Sequence, residues 1–275
     1  MIERLHLSQT GFVPHCGIFI NITRAIDRIH FYTDKRIHVY GIFIDFANAY
    51  NTIYHQPLFQ RLEGILTTED ISYLRSIYSL LSIHAGNHYM KPNIGVAQDS
   101  AIFPALFNIY LDPLLITLTE TLRIDTCDVF AYADNLMILM TSRSKIREVI
   151  EAIEKYSAES GLQLNKKKSG IVEFTTRHSK RFLTQEDIRG IPILSEYKYL
   201  GLYLTFKLSL NKQVSHIRRK CAFIKVKLNP ILNKVSLEYR KNLWTTFPLY
   251  YSETPRKIKK CWKNWCGPPS NLLPN

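Results

Sequence analysis

Apolar residues recur at helical spacing over residues 17–36, where Ile18, Ile22, Ala25, Ile26 and Ile29 fall three and four apart. Such a stripe predicts an amphipathic helix. Residues 38–45, His38-Val39-Tyr40-Gly41-Ile42-Phe43-Ile44-Asp45, form a short apolar run that ends on a carboxylate, the pattern of a buried strand. Residues 58–82 return to helical spacing with a break near Thr67-Thr68, residues 83–96 read as a hairpin, and residues 101–122 are helical in spacing across Pro104 and Pro113. Residues 128–140 predict two short strands around a tight turn. Asp and Asn tolerate the left-handed backbone of such turns, which puts Asp134-Asn135 at the tip. The sharpest stripe is Ile146, Val149, Ile150, Ile153 and Tyr156 in residues 144–160, with Ser144 placed to cap the helix and Gly161 just past its end. Residues 196–206 alternate like a strand, residues 212–234 form a basic helix that ends near Pro230, and Gly267-Pro268-Pro269-Ser270 is irregular. Helices and strands interleave without regular βαβ alternation. This predicts an α+β fold in which a sheet carries helices on one face.

Composition narrows the class. The chain has 275 residues, 46% hydrophobic and 12% aromatic, which excludes a disordered or collagenous chain. Its most apolar run, residues 101–118, is interrupted by Pro104, Asp112 and Pro113, so no membrane span and no membrane partner is expected. The opening Met1-Ile2-Glu3-Arg4 does not suggest a secretory signal. Cys16, Cys127, Cys221, Cys261 and Cys266 are scattered, with no C-x-x-C pair for a zinc site. An intracellular setting is expected, nucleus or cytoplasm being left open.

The net charge of +13 changes the picture through its placement. Residues 206–275 hold 15 Lys and Arg against only Glu238 and Glu253, whereas the preceding residues are balanced at 21 of each sign. Like charges repel, so a segment this one-sided implies a polyanionic partner, for which nucleic acid is the usual candidate. The plainer reading is a surface that aids solubility.

Two carboxylates carry candidate chemistry. Asp45 ends a buried strand and Asp134 sits at a hairpin, 89 residues later. Paired carboxylates at a sheet end can hold two Mg²⁺ ions about 3.5–4 Å apart, and hard oxygen ligands suit that metal. Taken singly, a turn Asp is more often a turn former.

Six segments in order resemble the reverse transcriptase domain of LINE-type retrotransposons, which lack long terminal repeats, with kinship to group II intron enzymes. They are Gln9-Thr10-Gly11-Phe12 (family Q-x-G-F), residues 43–50 (F-x-D-F-x-x-A-F/Y), residues 95–111 (G-x-x-Q-G-S, then P-x-L-F-N-I-Y-L), Tyr132-Ala133-Asp134-Asn135 (Y-A-D-D), residues 161–168 (G-L-x-L-N-x-x-K) and Tyr199-Leu200-Gly201 (Y-L-G). The resemblance implies a right-hand polymerase: partial fingers over residues 1–37, a palm of antiparallel sheet backed by helices over 38–205, and a basic helical thumb-like segment over 206–275. It implies an RNA-directed DNA polymerase that uses Mg²⁺ (two ions, or Mn²⁺), an RNA template, a DNA primer and deoxynucleoside triphosphates. Asp45, Asp134 and the Phe46 carbonyl would hold metal, with Asn135 and Lys168 completing the catalytic set. Tyr50 and Gln98 would contact the nucleotide, and Tyr199, Leu200 and Gly201 would grip the primer. Lys212, Arg218, Arg219, Lys220, Lys225 and Lys227 would follow the nucleic-acid backbone. The chain departs from the pattern at Asn135 (second Asp of Y-A-D-D), Asp99 (Gly), Phe103 (Ser), Asn51 (Asp), and Val13 and Cys16 (arginines). It holds neither the family's R-P-I-like fingers segment nor an endonuclease, so an N-terminally truncated, degenerate copy is expected. Three readings stay open: an active polymerase domain, a catalytically inactive remnant that binds nucleic acid, and an unrelated α+β domain with chance matches.

Overall fold

The computed structural model describes residues 5–80, 83–85, 88–90, 93–96, 102–175 and 187–232. Gln98, Asp99, the 267–270 segment, Cys261 and Cys266 lie outside the described residues. In chain order the elements are α1 (Ile18–Asp34), β1 (Val39–Ile44), β2 (Phe46–Ala47), α2 (His55–Glu63), α3 (Thr68–Leu80), β3 (Ile83–Ala85), β4 (His88–Met90), α4 (Phe103–Ile116), β5 (Val129–Tyr132), β6 (Asn135–Met140), α5 (Arg143–Ser160), β7 (Gln163–Leu164), β8 (Gly170–Phe174), β9 (Asp187–Ile188), β10 (Ile191–Leu194), β11 (Glu196–Tyr199), β12 (Leu202–Thr205) and α6 (Asn211–Leu232).

A six-stranded sheet in the order β5-β6-β1-β8-β10-β9 organises residues up to Ser209. Its pairings are antiparallel except β8 with β10. All six residues of β1 are buried, yet successive side chains point to opposite faces. Tyr40, Ile42 and Ile44 join Leu58, Leu106 and Ile150 of α2, α4 and α5 in one core. Val39 and Phe43 join Ala25 and Ile29 of α1, together with Tyr199 and Leu204, in a second core. The sheet is therefore covered on both faces, which corrects the one-sided expectation. Each fully buried Phe or Ile here contributes about 1.5–3 kcal/mol, so the α1 face is no minor appendage.

Several local expectations shift for identifiable reasons. The buried row of α1 is Asn21, Ala25, Ile29 and Thr33, while Ile18 is exposed. Asn21 draws the helix round, because its Nδ2 donates to Thr10 Oγ1 at 2.8 Å and to the Ala131 carbonyl at 3.2 Å. The helix expected over 101–122 starts at Phe103, with Pro104 in its first turn, and relaxes into a π turn over Thr117–Thr121. The position before α5 is Ser142 rather than Ser144, and the two hydroxyls bond each other at 2.9 Å. The stripe itself stands, with all five predicted residues buried. Residues 196–206 form a hairpin, not one strand, because Leu200 (φ 45°) and Gly201 (φ 87°) turn the chain. Within the 83–96 hairpin, the described residues of β3 pair with those of β4.

One ion-pair cluster pins α1 to the β5 edge. Arg28 reaches both Asp128 oxygens at 2.7 and 3.1 Å, and the Tyr32 hydroxyl donates to Asp128 Oδ2 at 2.6 Å. Asp128 is buried. Arg28→Ala leaves that carboxylate without its cation, and urea denaturation should show a loss of about 2 kcal/mol, below the fully buried case because the Arg28 side chain is 21% exposed.

Residues from Leu210 form a second unit. Its described part is α6, a basic helix on which Arg218, Arg219 and Lys220 are exposed and Lys212 is half-exposed. No described helix is long and apolar enough to cross a membrane.

Candidate active site

The ladder brings the two predicted carboxylates to one end of the sheet. Ile44, the last residue of β1, pairs with Leu136 of β6, so the residue after β1 and the turn before β6 meet there. Asp45 is fixed through its backbone. Its N–H donates to Ser169 Oγ at 3.1 Å, and its carbonyl accepts from the Asn165 N–H at 2.9 Å. The next two residues pair with β7, Phe46 opposite Leu164 and Ala47 opposite Gln163. Residues 43–50 and 161–168, separate motifs along the chain, thus interlock.

The Asp134 turn differs from the expected one. Tyr132 pairs with Asn135, so the tip is Ala133-Asp134, and Asn135 is the first residue of β6. The left-handed residue is Ala133, at φ 53°. Asn and Asp prefer that region, but a polar preference was outweighed by tertiary packing: an added Cβ on Gly11 would come 2.3 Å from the Ala133 nitrogen, so the N-terminal segment is moulded onto this turn. The Asn135 Nδ2 donates to Asp134 Oδ1 at 3.1 Å.

A cleft of about 480 Å³ opens at this sheet end, and Asp45, Phe46, Tyr50, Asp134 and Lys168 line it. Sequence reasoning gave no role to the asparagines that share its wall, Asn48, Asn51 and Asn165. Asn48 takes a left-handed backbone (φ 49°) at the start of the 3₁₀ turn that presents Tyr50. The Tyr50 ring lies 4.9 Å from Phe107, and its hydroxyl is pushed up to about 12 by burial and then by the Asp134 charge. The Val96 N–H donates to the Tyr50 carbonyl at 2.8 Å, which ties this turn to the segment preceding Gln98. Lys168 is exposed at the cleft lip.

Burial, and then the Asp45 charge, raise the Asp134 carboxyl above its usual range, against hydrogen bonds from its own backbone amide and from Asn135. Two carboxylates that repel in a cleft whose wall also carries three asparagines fit a hard divalent cation. They fall short of a three-carboxylate set: no cluster of three or more His, Cys, Asp or Glu is present among the described residues. A raised carboxyl pKa means that the folded state holds its proton longer than the unfolded chain, so ionising Asp134 as pH rises weakens folding. Asp134→Asn should therefore raise the melting temperature of metal-free protein at pH 7, and the gain should vanish near pH 3, where both states are protonated. Thermal melts across that range check it.

Tyr199 is 2% exposed, and its hydroxyl donates to Asn21 Oδ1 at 2.9 Å, so this residue roots the β11–β12 hairpin while Leu200 and Gly201 form its tip. Tyr197, stacked on Phe43 at 4.4 Å, has its phenol pushed up to about 12 by burial and then by Asp45, which puts the hairpin in electrostatic reach of the cleft. The buried polar residues Gln9, Thr10, Asn21 and Asn108 lie behind the Asp134 turn. Periodicity does not mark them, since they are polar; only their position in or near motif segments signals them.

Residues 1–204 match the family described as reverse transcriptase (RNA-dependent DNA polymerase). The chain is 24% identical over 253 residues to the RNA-directed DNA polymerase from mobile element jockey of Drosophila melanogaster, covering 86% of this chain and 27% of that protein. It is 24% identical over 241 residues to the Pol polyprotein from the type-1 retrotransposable element R2 of Popillia japonica, covering 79% of this chain and 34% of that protein. The chain thus spans only a minor part of either relative. In fold it is similar to apo telomerase from Candida tropicalis, at a TM-score of 0.51 and 13% identity over 73% of this chain and 40% of that one.

Proposed function

Since the chain belongs to the reverse transcriptase family and its relatives include polymerases of retrotransposons without long terminal repeats, we propose that its cleft extends a DNA primer on an RNA template, joining deoxynucleotides to the 3′ end. The observation that carries the proposal is the meeting of Asp45 and Asp134, from separate motifs, at one sheet end in an open cleft lined by Tyr50 and Lys168. On this reading residues 38–205 are the palm, residues 1–37 partial fingers and residues 206–275 the thumb.

Asp45, Asp134 and the Phe46 carbonyl are the groups that would hold Mg²⁺ or Mn²⁺, which when bound supplies charge neutralisation and acidifies the primer hydroxyl. The residues do the rest. Tyr50, wedged against Phe107, presents a rigid ring on which a deoxyribose fits and a 2′-hydroxyl collides. Lys168 reaches the leaving pyrophosphate from the lip and offsets its developing charge. Gln98 meets the templating pair. The Leu200-Gly201 tip supports the primer end, braced through buried Tyr199. Lys212, Arg218, Arg219, Lys220, Lys225 and Lys227 neutralise backbone phosphates, so binding falls with added salt.

A second reading, an inactive remnant that binds nucleic acid, is favoured by one observation: Asn135 stands where the family has a carboxylate, and its amide is engaged with Asp134. Primer extension on an RNA template with a DNA primer and Mg²⁺ separates the two. Extension above an Asp45→Ala, Asp134→Ala double variant supports the polymerase. Salt-sensitive binding without extension supports the remnant.

A further inference from the structure

The segment ahead of α1 hydrogen-bonds the Asp134 turn through the Gln9 side chain. Gln9 Oε1 accepts from the Ala133 N–H at 3.0 Å and from the Gly11 N–H at 2.9 Å, and Gln9 Nε2 donates to the Ala133 carbonyl at 3.5 Å. One amide therefore clasps both polar groups of the residue that precedes Asp134. Gln9 is 4% exposed, so these bonds are shielded from bulk solvent. Its own backbone is held beside β5: the Thr10 N–H donates to the Ala131 carbonyl at 2.9 Å, and the Ala131 N–H donates to the Ser8 carbonyl at 2.9 Å. Asn108 Nδ2 donates to the Gly11 carbonyl at 2.6 Å and closes the other side. The clasp thus has a rigid root.

What it holds is a conformation that alanine resists. Ala133 lies at φ 53°, where its Cβ crowds the following carbonyl. Such a backbone persists only where its surroundings over-determine it. A relaxed Ala133 would redirect the next residue, and the next residue is Asp134.

We propose that Gln9 is a positioning residue: its two-point clasp on Ala133 holds the left-handed turn that aims Asp134 toward Asp45. The proposal rests on the reading of Asp45 and Asp134 as a metal-binding pair. It assigns a role to a glutamine that does not itself line the cleft.

The test is Mn²⁺ titration of the full chain by electron paramagnetic resonance, counting only the binding that Asp134→Ala removes. Gln9→Ala should weaken that binding about ten-fold, the equivalent of the left-handed strain it no longer restrains. Glycine adopts the left-handed region freely, so adding Ala133→Gly to Gln9→Ala should restore affinity toward that of the parent chain. Simple loss of packing behind the turn is not repaired by a change at position 133. Parent-like binding by Gln9→Ala, or no recovery in the double variant, overturns the proposal. If Gln9→Ala alone does not fold, a folded double variant that binds Mn²⁺ supports the clasp, and a double variant that also fails to fold overturns it. If neither Asp45→Ala nor Asp134→Ala alters Mn²⁺ binding, the metal-pair reading has failed instead, a result distinct from failure at Gln9.

Discussion

Alanine at Asp45 or at Asp134 is expected to lower primer extension by about a thousand-fold, the scale on which removing a preorganised charge from a reacting centre acts. The two variants should be nearly equal in effect and far from additive when combined, because the carboxylates act as one unit. They should differ in stability. Asp134 is a strained charge, raised by burial and by its neighbour, so its removal relieves the metal-free fold. Single-turnover extension, with melting curves of the same preparations, gives both numbers. Extension that survives either change within ten-fold of the parent chain would remove the cleft from the reaction.

Asn135→Asp is the change expected to increase activity, by about ten-fold or more where one charge-stabilising group is gained. The amide of Asn135 is neutral and donates to Asp134. A carboxylate there would offer a cation a third charged oxygen donor and would cease to donate. The same change has a penalty when no cation is bound, since three acidic groups then crowd one turn and one strand end. The metal-free melting temperature should fall, and the rise on adding Mg²⁺ should grow. Thermal melts with and without Mg²⁺ separate these effects. Unchanged extension would move attention to the other departures, at Asp99, Val13 and Cys16.

Legibility in the sequence followed the physics of each element. β1 and α5 were readable because one continuous apolar run and one clean stripe leave little choice of partner. The central strand β8 went unread. It carries Glu173, fully buried, and is five residues long, so neither alternation nor length announces it. α1 was read as a helix but rotated, because a hydrogen-bonding Asn21 displaced Ile18 from the interior. The two aspartates were legible as candidates. The tip residue was not, since Ala133 takes a backbone for which its side chain has no preference, under contacts made 124 residues earlier by Gln9. Local propensity lost at that turn, as it commonly does where a site demands an unusual backbone.

The position of β1 in the sheet carries a consequence for how the chain matures. Flanked by β6 and β8, β1 has no sequence-adjacent partner: Tyr40 lies beside Met140 on one side and Glu173 on the other. Such long closures are slow, and a ribosome emits only about 5–20 residues per second. An apolar strand made early must therefore wait, with both borders unsatisfied until Met140 has left the exit tunnel and with one border unsatisfied until Phe174 has. During that interval the nascent polypeptide offers a sticky ribbon to chaperones or to its own copies, so slower growth at lower temperature and abundant holdases are the conditions under which recombinant product should stay in solution.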